Sequence, residues 1–294
     1  MRTLLAGLIL LGGLIPAYAA DDDYRADIEA WRAHRLERLT APDGWLTLVG
    51  LHFLPEGESS LGRAADNDIV LAAGPDRIGS VTLDEKNQVR LRVNPGVEVR
   101  VDGRAVLSAE LSEGRGAPPT LVTSGTMSFY VINRGGKPAL RVKDSAAPRR
   151  TQFAGIEHFP IDPAWRMVAR WEPFLRPREV PIKNILGQES PAMVLGRAVF
   201  ERDGRTFGLL PIQESLGAPL FFIISDLTSG ESTYAAARFL YADPPEDGQV
   251  VLDFNRAINP PCAFTPFATC PLPPEENRLP IVVTAGEKDY AGEH

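Results

Sequence analysis

The sequence predicts a mainly β protein with one N-terminal helix and two successive antiparallel β-units. Three observations carry this. From residue 41 onward, short runs rich in Val, Leu, Ile and Phe alternate with turn pairs such as Asp102-Gly103 and Gly135-Gly136. Within those runs, "VRLRV" (89–93) and "VEVRV" (97–101) alternate apolar and polar residues, which buries one face of a sheet and leaves the other in water. Glycine and proline, at 26 each, supply the turns, and 294 residues exceed the usual span of one domain.

Residues 1–19 read as a leader. Arg2 precedes an apolar run of about a dozen residues and the ending Ala17-Tyr18-Ala19, the pattern of a cleaved secretory signal peptide. That run is short for a membrane span of roughly 20 residues, so a soluble periplasmic or secreted chain is expected, cut after Ala19. Residues 20–40 follow as an amphipathic helix. Ile28, Trp31, Leu36 and Leu39 fall near one face, with acids at the start and Arg32, Arg35 and Arg38 toward the end, as the helix dipole favours.

Residues 41–145 form the first β-unit. "SVTLDE", "QVRLRVN" and "VEVRV" are its strands, and Gly135-Gly136 turns the hairpin inside "TMSFYVINRGGKPALRVKD". "SAAPRRTQFAGIEHFPIDPAWR" (145–166) breaks the rhythm. Residues 146–294 then give a second antiparallel sandwich or barrel, with "ERDGRTF" and "DLTSGESTY" as turns and a Cys/Pro-rich loop near its end.

The segments "WLTLVGLHFLPEGESSLGR", "FYVINRGGKPALRVKD", "DFNRAINPPCAFTPFATCPLPPEENRLP" and "AGEKDY", in that order, resemble the bacterial DUF1684 family over nearly all of the mature chain. That family is a domain of unknown function, so the resemblance implies fold and extent and carries over no functional residue. "SSLGRAADNDIVL" (59–71) and "VEVRVDGRAV" are also similar to forkhead-associated (FHA) domains, which implies an FHA-like β-sandwich for the first unit. In that family an Arg and a following Ser-x-x-His grip phosphothreonine. Arg63 is present here, but "DRIGSVTL" stands where the Ser and His belong, so the resemblance implies the scaffold without the phosphopeptide site.

Composition and motifs exclude several functions. Loss of residues 1–19 removes Arg2 and moves the formal net charge from −7 to −8, which disfavours nucleic acid as a partner. The chain contains no G-x-S-x-G, H-E-x-x-H, C-x-x-C, Walker A or G-x-G-x-x-G pattern. Its four His do not cluster with Cys or carboxylates, so no metal and no cofactor are expected.

Both cysteines, Cys262 and Cys270, lie in "NPPCAFTPFATCPLPPEENRLP" (259–280). In an oxidising compartment they can close as a disulfide, while redox catalysis or a structural zinc would need closer spacing or further ligands. The prolines around them disfavour a helix and stiffen the loop.

Polar residues flank this loop. Continued strand alternation in "DFNRAIN" would place Asp253 and Asn255 on one face and Arg256 on the other, with Asn259 at the loop's start. Glu275, Asn277 and Arg278 follow the proline run. These residues either edge a pocket or satisfy the loop's own backbone. In "STYAAARFLYAD", alternation would put Tyr234 and Arg238 on one face and Tyr241 on the other, with the first pair orienting a ligand if it faces an interior. A second, basic set comprises Arg134, Lys137, Arg141, Arg149 and Arg150. It suits either an anionic ligand or an inter-domain polar surface.

The expectation is therefore an exported protein that binds a small ligand or an envelope partner through its C-terminal unit. Two rivals stand beside it. One is a hydrolase- or transferase-type enzyme using Asp253 or Glu275 with Arg256 or Arg278. The other is a structural envelope component.

Overall fold

The structure, a computed structural model, describes residues 17–292 apart from Arg115, Glu214 and Leu216. The leader's positive and apolar residues, 2–15, lie outside the described residues. Among those described, no helix is long and apolar enough to cross a membrane.

Helix α1 spans Ala17–Thr40, so Asp21, Asp22 and Asp23 fall in its second turn rather than its first. It buries Ile28 and Leu39 and half-buries Trp31. Leu36, expected on that face, is 42% exposed.

The first β-unit is two sheets. One is six-stranded and joins Leu48–Phe53 to Lys137–Asp144, Met127–Arg134 and the shorter strands beyond. The other is five-stranded and is centred on Gly57–Gly62, Gly79–Leu83 and Val89–Val93. One core fills the space between them, with Leu61, Val81 and Leu91 from the second sheet against Phe129, Leu140 and Val142 from the first. Val89, Leu91 and Val93 are buried and Arg90 and Arg92 exposed, as the alternation requires. Asp102 (φ 47°) with Gly103 (φ 80°), and Gly135 (φ 59°) with Gly136 (φ 81°), turn their hairpins with two successive left-handed residues. A primed two-residue turn matches the twist of the strands that flank it.

The second β-unit packs a four-stranded antiparallel sheet against a two-stranded one. The larger sheet runs Arg205–Leu209, Glu189–Arg202, Arg166–Lys183, Gln249–Asp253; the smaller pairs Leu220–Ile224 with Arg238–Ala242. Ala198, Phe200 and Leu252 meet Leu220, Phe222 and Leu240 in its core. In the long hairpin the pairing passes from Pro173↔Gly196 to Arg178↔Val194, so residues 174–177 bulge out opposite Leu195 alone.

The Cys/Pro-rich loop wedges between the two units. Thr265 Oγ1 donates to the Leu48 carbonyl at 3.1 Å, and Arg134 Nε donates to Thr269 Oγ1 at 2.9 Å. On the other side, Ile185 N–H donates to the Cys270 carbonyl at 3.0 Å and Leu272 N–H to the Lys183 carbonyl at 2.7 Å. The prolines limit helix to single 3₁₀ turns, Pro261–Ala263 and Glu275–Asn277.

Candidate functional site

A cleft of about 1210 Å³ lies between α1 and the C-terminal β-unit. Strand alternation builds its floor. In Arg238–Ala242, residues 238, 240 and 242 turn into the core, which leaves Phe239 and Tyr241 to line the cleft. Val251 and Asp253, from the neighbouring strand, and Arg256, Ile258 and Asn259 continue the floor. The wall is one face of α1: Tyr24, Asp27, Trp31, Arg35 and Arg38 recur at helical spacing.

Contacts made by Tyr24, Asp27 and Arg35 pin that helix along the cleft. Tyr24 O–H donates to Asp253 Oδ1 at 2.8 Å and accepts from Asn255 Nδ2 at 3.0 Å. Arg256 pairs with Asp27 and lies 5.9 Å from the Trp31 ring. Arg35 Nε donates to Glu287 Oε1 at 3.0 Å, and its Nη2 to the Asn259 carbonyl at 3.1 Å. Burial, and then the bond to Asp253, raise the Tyr24 phenol above its ordinary pKa, so it stays a proton donor at neutral pH. Burial likewise raises the Glu287 carboxyl, with Arg35 opposing the shift.

The two ends of the cleft differ. At one end Trp45 and Tyr241 stand with His34, Arg35 and Arg38 over the buried side chains of Leu39, Phe239 and Phe264. Arg38 is exposed there and has no hydrogen-bond or ion-pair partner among the described residues. Its charge reaches Tyr241, whose pKa is raised by burial and lowered in part by Arg35 and Arg38. At the other end Arg166 is also unpartnered among the described residues, and its charge reaches Tyr24. Arg38 lies fourteen helix positions beyond Tyr24, about 21 Å along the axis, so one small anion does not engage both guanidiniums.

Of the residues singled out in the sequence, Asp253, Arg256 and Asn259 line this cleft. The strand does not persist as expected. It stops at Asp253, whose carboxylate accepts from Asn255 N–H at 3.1 Å and caps the 3₁₀ turn Phe254–Arg256. Asn255 lies fully buried beneath the cleft and binds the Asp162 carbonyl at 2.8 Å.

The remaining residues of that set lie elsewhere. Asn277 is buried in the β-unit, binding Leu210 N–H, the Leu210 carbonyl and the Ile223 carbonyl at 2.7, 2.8 and 3.0 Å. Glu275 and Arg278 are exposed and do not line the cleft. Tyr234 precedes the strand that was expected to hold it and donates to the Cys262 carbonyl at 3.1 Å. Arg238 faces the core, where it pairs with Asp226 at 2.7 Å and binds the Val283 and Ala285 carbonyls.

The five basic residues do not converge on one anion site. Arg141 is 7% exposed and stacks over Trp45 at 5.1 Å. Arg134 joins the Cys/Pro-rich loop. Arg149 reaches the Leu48 carbonyl at 3.4 Å, and Arg150 the Thr40 carbonyl at 2.7 Å. Lys137 is exposed. Burial first, and the nearby Arg141 second, lower the Arg134 pKa.

Sequence reasoning missed Tyr24, Trp31, Arg35, Arg38, Arg166 and Glu287. A signal for part of the set was present, because Trp31, Arg35 and Arg38 stand at i, i+4 and i+7. Among the described residues, no three His, Cys, Asp or Glu side chains group to hold a metal. Arg63 pairs with Asp76 at 2.7 Å on the exposed surface of the first unit.

Comparison with known proteins adds a family and no activity. The family model described as "Protein of unknown function (DUF1684)" matches residues 151–288. The solution NMR structure of an uncharacterized protein of Haloarcula marismortui is 30% identical, covering 47% of this chain and 78% of that one, with a TM-score of 0.40. No curated protein matches the chain.

Proposed function

The chain belongs to the DUF1684 family through residues 151–288, and we propose that it is an exported protein whose cleft binds a small anionic molecule with an apolar body. One observation carries the reading: Arg38, whose guanidinium has no partner among the described residues, lines the cleft together with Tyr241 and lies within electrostatic reach of it. Arginine holds carboxylate or phosphate through paired N–H donors. Trp45, Val251 and the Tyr241 ring supply apolar area of the kind that lines small-molecule sites. The bound ligand would touch both α1 and the C-terminal unit.

Asp253 supports binding better than catalysis. Its Oδ1 accepts from Tyr24 and Asn255, and Arg256 lies 3.5 Å from Oδ2, so structural partners hold both oxygens.

A thermal-shift series tests the reading with decanoate, phenylacetate, decylamine and inorganic phosphate. Stabilisation by the two carboxylates, absent with the amine and with the body-less phosphate, is expected. Equal stabilisation by decylamine would count against an anion site, and no response to either carboxylate would count against the cleft.

A further inference from the structure

Two thiols meet where the two β-units meet, and the cleft uses neither. We propose that Cys262 and Cys270 close as a disulfide that clamps the Cys/Pro-rich loop against the N-terminal sheet.

The fold has already brought the sulfurs together. Cys262 N–H donates to Cys270 Sγ at 3.1 Å, which sets the two cysteines side by side. Both are unbonded, at 7% and 4% exposure, in a core shared by Ile182, Ile223 and Phe239 of the second unit and Leu48 of the first. No third metal ligand stands with them among the described residues.

The position of the loop gives the bond its consequence. Residues 262–270 include Thr265, bonded to the Leu48 carbonyl, and Thr269, bonded to Arg134. Closing the loop at its two ends holds both threonines in register with the first unit. With both thiols reduced, each contact depends on a loop free to open.

The chemistry is thiol–disulfide exchange with a small-molecule or protein disulfide as oxidant. The Cys262 thiol loses its proton, and its thiolate attacks one sulfur of the oxidant and expels a thiolate. Cys270 then loses its proton, attacks the mixed disulfide at the Cys262 sulfur and expels the second thiolate. One S–S bond forms and one breaks, the two cysteines lose two electrons and two protons, and the oxidant leaves as two thiols. The low exposure of both sulfurs places closure before the two units have docked.

The test refolds the full chain in a mixture of oxidised and reduced glutathione, then maps its peptides without reductant. The expected result is a Cys262–Cys270 cross-linked peptide. Reducing the bond is expected to lower the melting temperature by about 5–10 °C, and proteolysis within the 145–166 connection should speed up by roughly tenfold. The Cys262→Ser/Cys270→Ser chain should behave like the reduced protein. Where that variant does not fold, reduction of the wild type gives the same comparison. Two results overturn the proposal: both thiols fully alkylated after oxidative refolding, or a bond whose reduction alters neither melting nor cleavage between the units.

Discussion

Arg35 Nε lies 3.0 Å from Oε1 of Glu287, a carboxylate with no solvent exposure, and this pair joins α1 to the far end of the chain. Asn259 N–H, at 2.6 Å, holds the other oxygen. Arg35→Leu leaves that carboxylate buried without its counter-charge and is expected to cost on the order of 3–5 kcal/mol at pH 7. The loss should shrink in acid. Glu287 has a folded pKa above its unfolded value of 4.5, so its contribution to stability is fully present below that value and is lost as pH rises through the folded pKa. Removing Arg35 raises the folded pKa further and steepens that loss. Urea melts of both proteins at pH 5 and pH 7 check this, and a penalty independent of pH would contradict it.

Arg238 should prove to be a folding residue and not a ligand contact. It is fully buried against Asp226, and Arg238→Met alone strands that carboxylate, at a cost of about 3–5 kcal/mol. Asp226→Asn in the same chain should recover part of the loss. It removes the stranded charge while keeping an acceptor for Thr228 and Val283 N–H. Denaturant midpoints of the single and double variants decide the point.

Stability should fall on acidification through His158. Burial, and then repulsion from Arg32, push its pKa down to about 4, with Arg35 adding to the repulsion. The folded pKa lies below the unfolded 6.5, so stability is present above 6.5 and is lost as pH falls toward 4. The loss amounts to at most about 2 kcal/mol by pH 5. His158→Gln should flatten the difference between pH 7 and pH 5, measured by chemical denaturation.

Asn277 ties the N–H and carbonyl of Leu210, just past the strand Arg205–Leu209, to the Ile223 carbonyl, and Asn277→Ala leaves them buried and unpaired. The expected cost is on the order of 3 kcal/mol, with no direct effect on ligand affinity because the residue lies outside the cleft. Thermal melting and a ligand titration on the same sample separate the two effects.

The features legible in the sequence are those that local chemistry imposes. Asp102-Gly103 and Gly135-Gly136 announce hairpins because a left-handed pair is needed at each turn, and Val89, Leu91 and Val93 announce a buried face by spacing alone. Strand alternation stops at Asp253 because its own side chain ends the strand by capping a 3₁₀ turn. It separated the faces of Arg238 and Tyr241, yet whether each face met core or cleft depended on which elements packed there. The wall of the cleft was hidden for a different reason. Tyr24 bonds Asp253, 229 residues away, and Arg35 bonds Glu287, 252 away. No spacing within α1 encodes those partners.

Titrating decanoate into the wild type and Arg38→Ala in a calorimeter tests whether Arg38 heads an anion-binding cleft. Lys137→Ala, an exposed charge outside the cleft, controls for net charge. The account predicts saturable binding to the wild type and to Lys137→Ala, weakened at least roughly tenfold in Arg38→Ala by the lost charge-assisted hydrogen bonds. Binding of equal strength in Arg38→Ala, or none in the wild type, would contradict it.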